Sequence, residues 1–355
     1  MDSKLPLLRS PFAPLLLIAP FFFWGTAMVA MKGVLPNTTP LFMAGVRLLP
    51  AGALVLGAGM LMGRPQPRGW VAWLWISLFA LVDGVLFQGF LAEGLVRTGA
   101  GLGSVMIDSQ PLAVALIALW LFGERIGLWG WLGLGLGVAG ISLLGLPDEW
   151  ILGILQTRSL PENFNLGAGL VEDLFQNGQW LMLLAALSMA VGTVLMRYVS
   201  RHADPVTATG WHMILGGLPL FAFSSQFEVG QWVNLDSSNW LALGYSTIFG
   251  SALAYGLFFY FASSGSLTSL SSLTFLTPVF ALLFGNLFLA EMLSPVQWAG
   301  VSLTLVSIYL INQRDSLSQK FSQGQEIPAE TNQLPQSETA AIDLAKVPVR
   351  LTEQE

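Results

Sequence analysis

Apolar stretches long enough to cross a lipid bilayer recur along this chain, and they constrain its fold more than any other feature. A membrane-spanning helix takes about 20 largely apolar residues. Ten stretches meet that requirement: 12–34, 40–62, 70–93, 98–121 and 127–146, then 178–199, 205–224, 239–261, 266–289 and 295–312. Only 10% of the 355 residues are charged and 54% are hydrophobic, where a soluble domain carries about 25% charged residues. Backbone polar groups in lipid must be satisfied within the segment, so these stretches are expected as helices. The expected class is an all-α membrane protein with the lipid bilayer as its surroundings. The first stretch follows Lys4 and Arg9 in the manner of a signal peptide. It is too long for one and leads into further spans, so it is expected to be a retained helix.

The ten stretches fall into two sets of five related by an internal repeat. Ser104, Pro111, Leu116, Glu124, Trp131, Gly133 and Leu136 recur as Ser271, Pro278, Leu283, Glu291, Trp298, Gly300 and Leu303, each at an offset of 167. Gly25-Thr26 recurs as Gly192-Thr193 at the same offset, and Pro40, Gly45 and Gly52 recur as Pro205, Gly210 and Gly217 at 165. The expected domains are a first five-helix repeat at 12–146, a linker at 147–177, a second repeat at 178–312, and a disordered tail at 313–355 rich in Gln, Glu, Ser, Pro and Ala. Five is odd, so the second repeat enters the membrane in the opposite sense, giving an inverted-topology pair. With both termini cytoplasmic, Lys4, Arg9, Arg64, Arg68, Arg125, Arg197, Arg201, Arg314 and Lys320 lie on the inner side and Lys32, Arg97 and Arg158 on the outer, and the positive-inside rule selects that arrangement.

Trp24-Gly25-Thr26, Arg47 inside the second span and the doubled Pro…Glu…Trp-x-Gly pattern resemble the drug/metabolite transporter superfamily, in its EamA-like ten-helix branch. The resemblance covers residues 12–312. It implies two five-helix repeats, alternating access, and a central cavity lined largely by the third, fourth, eighth and ninth spans. It implies a small-molecule cargo of the kind such proteins move, often outward: amino acids, nucleosides, sugars or drugs. The long linker departs from the short connection usual in that family.

Three ionisable residues lie well inside spans: Arg47, Asp83 and Asp108. A charge there costs about 2.5–3.5 kcal/mol on insertion scales. One arginine and two aspartates sum to −1, so one carboxylate is left to take a proton on one side and release it on the other. Asp108 is the favoured carrier because Ser104, Asp108 and Pro111 share a helical face, with Arg47 and Asp83 setting its environment. The alternative is a fixed Arg–Asp pair beside a permanently protonated aspartic acid. Gln88, His212, Tyr255, Thr274 and Phe275 are further candidates for the substrate or proton pathway, although a lone His212 reads first as a hydrogen-bonded core group. Pro111 and Pro278 each lack the N–H that would bond the carbonyl four residues earlier, so both are expected as hinges. Glu124 and Glu291 sit at span ends, as gates or as anchors that serve a neighbouring helix start.

The chain has no G-x-x-x-x-G-K-[ST] loop for nucleotide phosphates and no H-E-x-x-H or G-x-S-x-G arrangement. It contains no cysteine, two histidines and no basic aromatic-interleaved patch. No enzyme activity, cofactor, metal or nucleic-acid partner is therefore expected, and a single membrane-embedded cation disfavours phosphorylated cargo. The expected function is secondary export of a small metabolite, coupled to protons. The alternatives are a proton-independent uniporter or exchanger, and a membrane scaffold that conducts nothing. The fifth-span series Gly130, Gly133, Gly135, Gly137 and Gly140 suits close helix packing, or a homodimer contact.

Overall fold

The computed structural model describes residues 13–122, 127–145, 151, 176–258 and 276–323. Glu124, Thr274, Phe275, nearly all of the linker and the chain beyond Gln323 lie outside the described residues. The chain divides into two compact units, Met1–Ser318 and Gln319–Glu355; the packing and sites described below lie in the first. Every regular element among the described residues is helical.

In the first half, α1 spans Ala13–Val34, α2 Pro40–Leu61, α3 Trp70–Phe79, α4 Gln88–Arg97, α5 Ala100–Ile107, α6 Gln110–Phe122 and α7 Leu128–Gly145. In the second half, α8 spans Gly178–Val199, α9 Pro205–Phe227, α10 Ser237–Thr247, α11 Leu276–Leu289 and α12 Pro295–Gln323. Among the described residues, six helical runs are long and apolar enough to cross a membrane, and Leu128–Leu144, Leu276–Leu289 and Pro295–Ile311 are shorter apolar helices. The last helix continues through Gln323, past the expected end of the tenth span at 312. Helix starts follow ordinary capping chemistry. Pro40 and Pro205, equivalent in the repeat, both open helices, where a missing N–H is harmless. Asp204 accepts from the N–H groups of Val206 and Thr207, and Asn177 accepts from Gln179. Exposed Asp236 caps α10, and the Asn239 N–H holds its carboxyl below the usual range.

The third span is where sequence periodicity fails. Between α3 and α4 the residues Ala80–Phe87 form a π segment, and after α10 a second one covers Ile248–Leu253. Subtracting the repeat offset of 167 from the second gives 81–86, inside the first, so both halves carry the same irregularity at the same place. A π segment inserts an extra residue per turn and re-aims every side chain after it; such segments concentrate at functional positions.

The halves pack through equivalent helices. Along α2 and α9, Gly45 meets Phe221, Gly52 meets Gly210 and Met213, and Gly59 meets Thr207, so the two run antiparallel. A Cβ at Gly52 would lie 2.7 Å from the Gly210 carbonyl oxygen, which is why no larger residue fits there. The repeat maps these contacts onto one another: Gly45–Phe221 becomes Leu56–Gly210, which is also made. The same holds for α7 and α12, where Gly133–Ile311 corresponds to Leu144–Gly300 and Gly137–Ser307 to Gly140–Thr304. Gly133, Gly137 and Gly140, among the glycines considered for a homodimer, therefore receive side chains of the chain's own last helix, and Gly135 has nothing against it.

Candidate functional site

Two buried polar contacts cross from one half to the other, and each starts on a helix of the α2/α9 pair. From α2, Arg47 is 4% exposed. Its Nη1 donates to Ser251 Oγ at 2.7 Å, its Nη2 donates to Gln88 Oε1, and its Nε has no hydrogen-bond partner. Ser251 lies in the second π segment and donates in turn to the Ser246 carbonyl at 3.0 Å, a back-bond of five residues that the wider π turn permits. Gln88 lies immediately after the first π segment. Arg47 thus bridges the irregular turns of both halves. Tyr255 is an electrostatic neighbour of both Arg47 and Asp83, and its ring packs 5.2 Å from Trp24.

From α9, His212 is 2% exposed and meets Asp83 of the first π segment, Nε2 to Oδ2, at 3.0 Å. Its Nδ1 lies 2.6 Å from the Thr209 carbonyl oxygen. The ring of Phe79 covers the imidazole at 4.3 Å between centroids. Two backbone approaches make this contact reachable. A Cβ on Gly84 would fall 2.8 Å from the Gly216 Cα, and a Cβ on Gly192 would fall 2.8 Å from Asp83 Oδ1. Glycine at 192, matched by Gly25 in the repeat, is the space that the Asp83 carboxylate occupies.

The alternative of a fixed Arg–Asp pair finds no such contact. Among the described residues no ion pair joins Arg47 to Asp83 or Asp108. The carboxylate of Asp83 is engaged by His212, which the sequence presented only as a lone core histidine. Asp108 stands apart, at the C-terminal end of α5, with Ser104 Oγ donating to its Oδ2 at 3.1 Å. It marks a break in the fourth span. Pro111 has no N–H for the Ile107 carbonyl, and the chain closes two tight turns instead, with Ser109 N bonded to Met106 O at 3.3 Å and Leu112 N to Ser109 O at 2.9 Å. On α6, Gln110 donates to Thr193 of α8 at 2.6 Å, tying that break to the second half. Pro278 is buried within α11.

Glu291 does the work of a helix cap across the molecule. Its carboxylate accepts from the N–H groups of Ala100 at 2.6 Å and Gly101 at 3.0 Å, the first turn of α5. Negative charge is favourable at a helix N-terminus, where unbonded N–H groups point outward. The preceding Ala290 holds a left-handed φ of 53° to aim it there, and Cβ atoms on Gly99 or Gly285 would enter the carboxylate's space, at 2.9 and 2.7 Å. Lys32 closes the other side of the same corner by donating to the Leu95 carbonyl at 2.8 Å. Glu228, not singled out from sequence, does the same for α2: it accepts from Leu41 N at 2.9 Å, Phe42 N at 3.0 Å and Thr39 Oγ1 at 2.7 Å. Its sequence signal was a carboxylate just past the C-terminus of a span whose partner begins Thr-Thr-Pro.

Grooves open between helices among the described residues. One of about 340 Å³ is lined by Leu41, Val85, Phe90, Glu93 and Leu220, and another of about 460 Å³ by Thr26, Asn239, Tyr245 and Phe288. Thr26 and Tyr245 share a 2.6 Å hydrogen bond. Among the described residues no group of three or more His, Cys, Asp or Glu side chains is placed to hold a metal.

Comparison with known proteins gives this architecture a family. The sequence profile of the EamA-like transporter family matches residues 11–146 and again 176–313. An uncharacterised transporter of Synechocystis sp. is 64% identical over 303 residues, 85% of this chain and 90% of that protein. A chloroplastic WAT1-related protein of Arabidopsis thaliana is 54% identical over 83% of this chain and 68% of its own length. Protein PecM of Dickeya dadantii is 32% identical over 84% of this chain and 91% of its own. A solved crystal structure with 18% identity superimposes at a TM-score of 0.58, covering 86% of this chain and 97% of that one, a likeness of fold. With two matches to one profile and relatives that span nearly all of both repeats, the chain is a multi-pass membrane protein and belongs to the EamA-like transporter family.

Proposed function

We propose that the protein is a secondary transporter of the cell membrane that exports a small organic metabolite by alternating access, coupled to protons. The observation that carries this reading is the antiparallel packing of α2 on α9, with contacts that exchange under the repeat. Two equivalent helices packed antiparallel are related by a two-fold axis perpendicular to both. For helices that cross a bilayer, such an axis lies in the membrane plane, which supports inverted five-helix repeats, ten spans and both termini in the cytoplasm. Halves related in that way present similar surfaces to the two sides, and rocking one against the other exposes a midplane site alternately. The polar crossings of Arg47 and of Asp83 with His212 fit such a site, with Gln88, Tyr255, Thr274 and Phe275 along the pathway. Pro111 and Pro278 serve as hinges, and Glu124 and Glu291 as anchors of the frame.

Asp108 is the proton-coupling residue in this reading. It lies at the break of a span, partly exposed, with a serine hydroxyl as its hydrogen-bond partner. Purified protein in lipid vesicles, given a panel of amino acids, nucleosides and sugars, is expected to transport at least one in response to an imposed pH gradient. Asp108→Asn is expected to abolish the gradient dependence while leaving thermal stability close to wild type. Full gradient-driven transport by that variant overturns the assignment, and transport indifferent to a protonophore makes the protein an exchanger or uniporter. Loss of function on removing residues 324–355 alone would favour a scaffold. A homodimer through α7 would use the side of Gly135, which α12 leaves open.

A further inference from the structure

We propose that Asp83 and His212 form a proton-binding site shared by the two repeats, in which one proton holds the first π segment against α9. Its role in a transport cycle rests on the reading above; the proton site itself does not.

The hydrogen-bond roles follow from the geometry. A carbonyl oxygen only accepts, so the 2.6 Å contact with Thr209 O makes His212 Nδ1 a donor. The other contact, Nε2 to Asp83 Oδ2 at 3.0 Å, then needs a proton of its own. That proton sits either on nitrogen, as imidazolium facing carboxylate, or on oxygen, as carboxylic acid facing imidazole. The pair is electrically neutral in both forms, which is what a buried position requires. A second proton leaves the hydrogen bond in place, with Nε2–H facing the acid's carbonyl oxygen. Removing the last shared proton, by transfer to water, sets the Nε2 lone pair against a carboxylate with no hydrogen between them. The contact then repels, and the first π segment separates from α9. The freed negative charge has a cation to turn to, Arg47.

Among the described residues, no other group around the pair would do this. Arg47 of α2 is bonded to Ser251 and Gln88. Tyr255, beyond the second π segment, is a phenol within electrostatic range. On α4, Glu93 and Arg97 are paired to each other at 2.9 Å. The face of α8 against Asp83 is Gly192, and α3 contributes Phe79. The titratable chemistry at this crossing is the Asp83–His212 pair.

The chain offers two direct probes, because it has two histidines and no cysteine. With the exposed His202 replaced by glutamine, histidine labelled with nitrogen-15 reports His212 alone in lipid nanodiscs. Nδ1 is expected to carry a proton at every pH, and the Nε2 signal to shift in a single step as the shared proton leaves. Spin labels on Leu81→Cys and Leu218→Cys, both exposed in the π segment and α9, are expected to move apart in that same step. Asp83→Asn is expected to keep the labels close at all pH, because its amide N–H donates to Nε2 without a titrating proton. Asp108→Asn is expected to leave both signals unchanged even where it abolishes coupled transport, so the two assignments fail separately. A bare Nδ1, or a label separation that follows pH identically in Asp83→Asn, overturns the proposal.

Discussion

The two polar crossings occupy equivalent places in the repeat and are built from opposite chemistry. Arg47 and His212 correspond at the offset of 165, and each reaches into the π segment of the other half. One lands on Ser251 and the other on Asp83, the neighbour of Ser251's counterpart Gly84. At the first crossing a permanent cation is held by neutral acceptors and keeps its charge at any physiological pH. At the second, a histidine meets a carboxylate and the contact depends on a proton. The backbone approach differs too. The first crossing has Ala51, fully buried, where the second has Gly216, which lets the first π segment touch the α9 backbone. A two-fold architecture with one constant and one titratable crossing is mechanically symmetric and chemically polarised.

That contrast can be broken from either side. The largest effect is expected for Arg47→Ala, which removes hydrogen bonds from a charged donor to Ser251 and to Gln88, each worth about 1.5–3 kcal/mol. A loss of roughly 3–6 kcal/mol in unfolding stability is expected, read by thermal unfolding in detergent. Asp83→Ala is expected to cost about 3–5 kcal/mol, because it leaves one member of a buried pair alone. Asp83→Asn keeps a hydrogen bond to His212 and is expected to stay within about 1 kcal/mol. If the alanine and asparagine variants unfold alike, the contact does not depend on the proton in the way described. The smallest effect sharpens the steric half of the comparison. Gly216→Ala is expected to cost about 1–3 kcal/mol through overpacking against Gly84, whereas Ala51→Gly at the matched position is expected to cost only about 1 kcal/mol of helix propensity. Equal effects would mean that the two approaches are equally tight.

Much of the frame was legible in the residues themselves. The repeat offset and the paired helix starts at Pro40 and Pro205 carried through, as did six of the apolar runs as long helices among the described residues, since each depends on local chemistry. The break in the fourth span followed from Pro111, a covalent property of one residue. Arg47, Asp83, Gln88 and His212 were identified as buried polar groups, but their partners were not. Pairing across halves depends on the crossing register of α2 and α9 and on the π segments, which re-aim Asp83 and Ser251. No period in the sequence announces an extra residue in a turn. The cap that Glu228 places on α2 was hidden for a similar reason. A carboxylate after a helix looks like ordinary loop polarity until its partner's first turn is seen beside it.

The cap that Glu291 places on α5 also has a consequence in time. The donors belong to residues 100 and 101 and the acceptor to residue 291, 191 and 190 positions later. At a synthesis rate of about 5–20 residues per second, roughly 10–40 s pass between the two leaving the ribosome. For that interval the first turn of α5 must be satisfied by water or a lipid headgroup, so its final seat in the bundle is assembled late. The first repeat, complete in sequence long before the second, is finished as a structure only when the second arrives to close it.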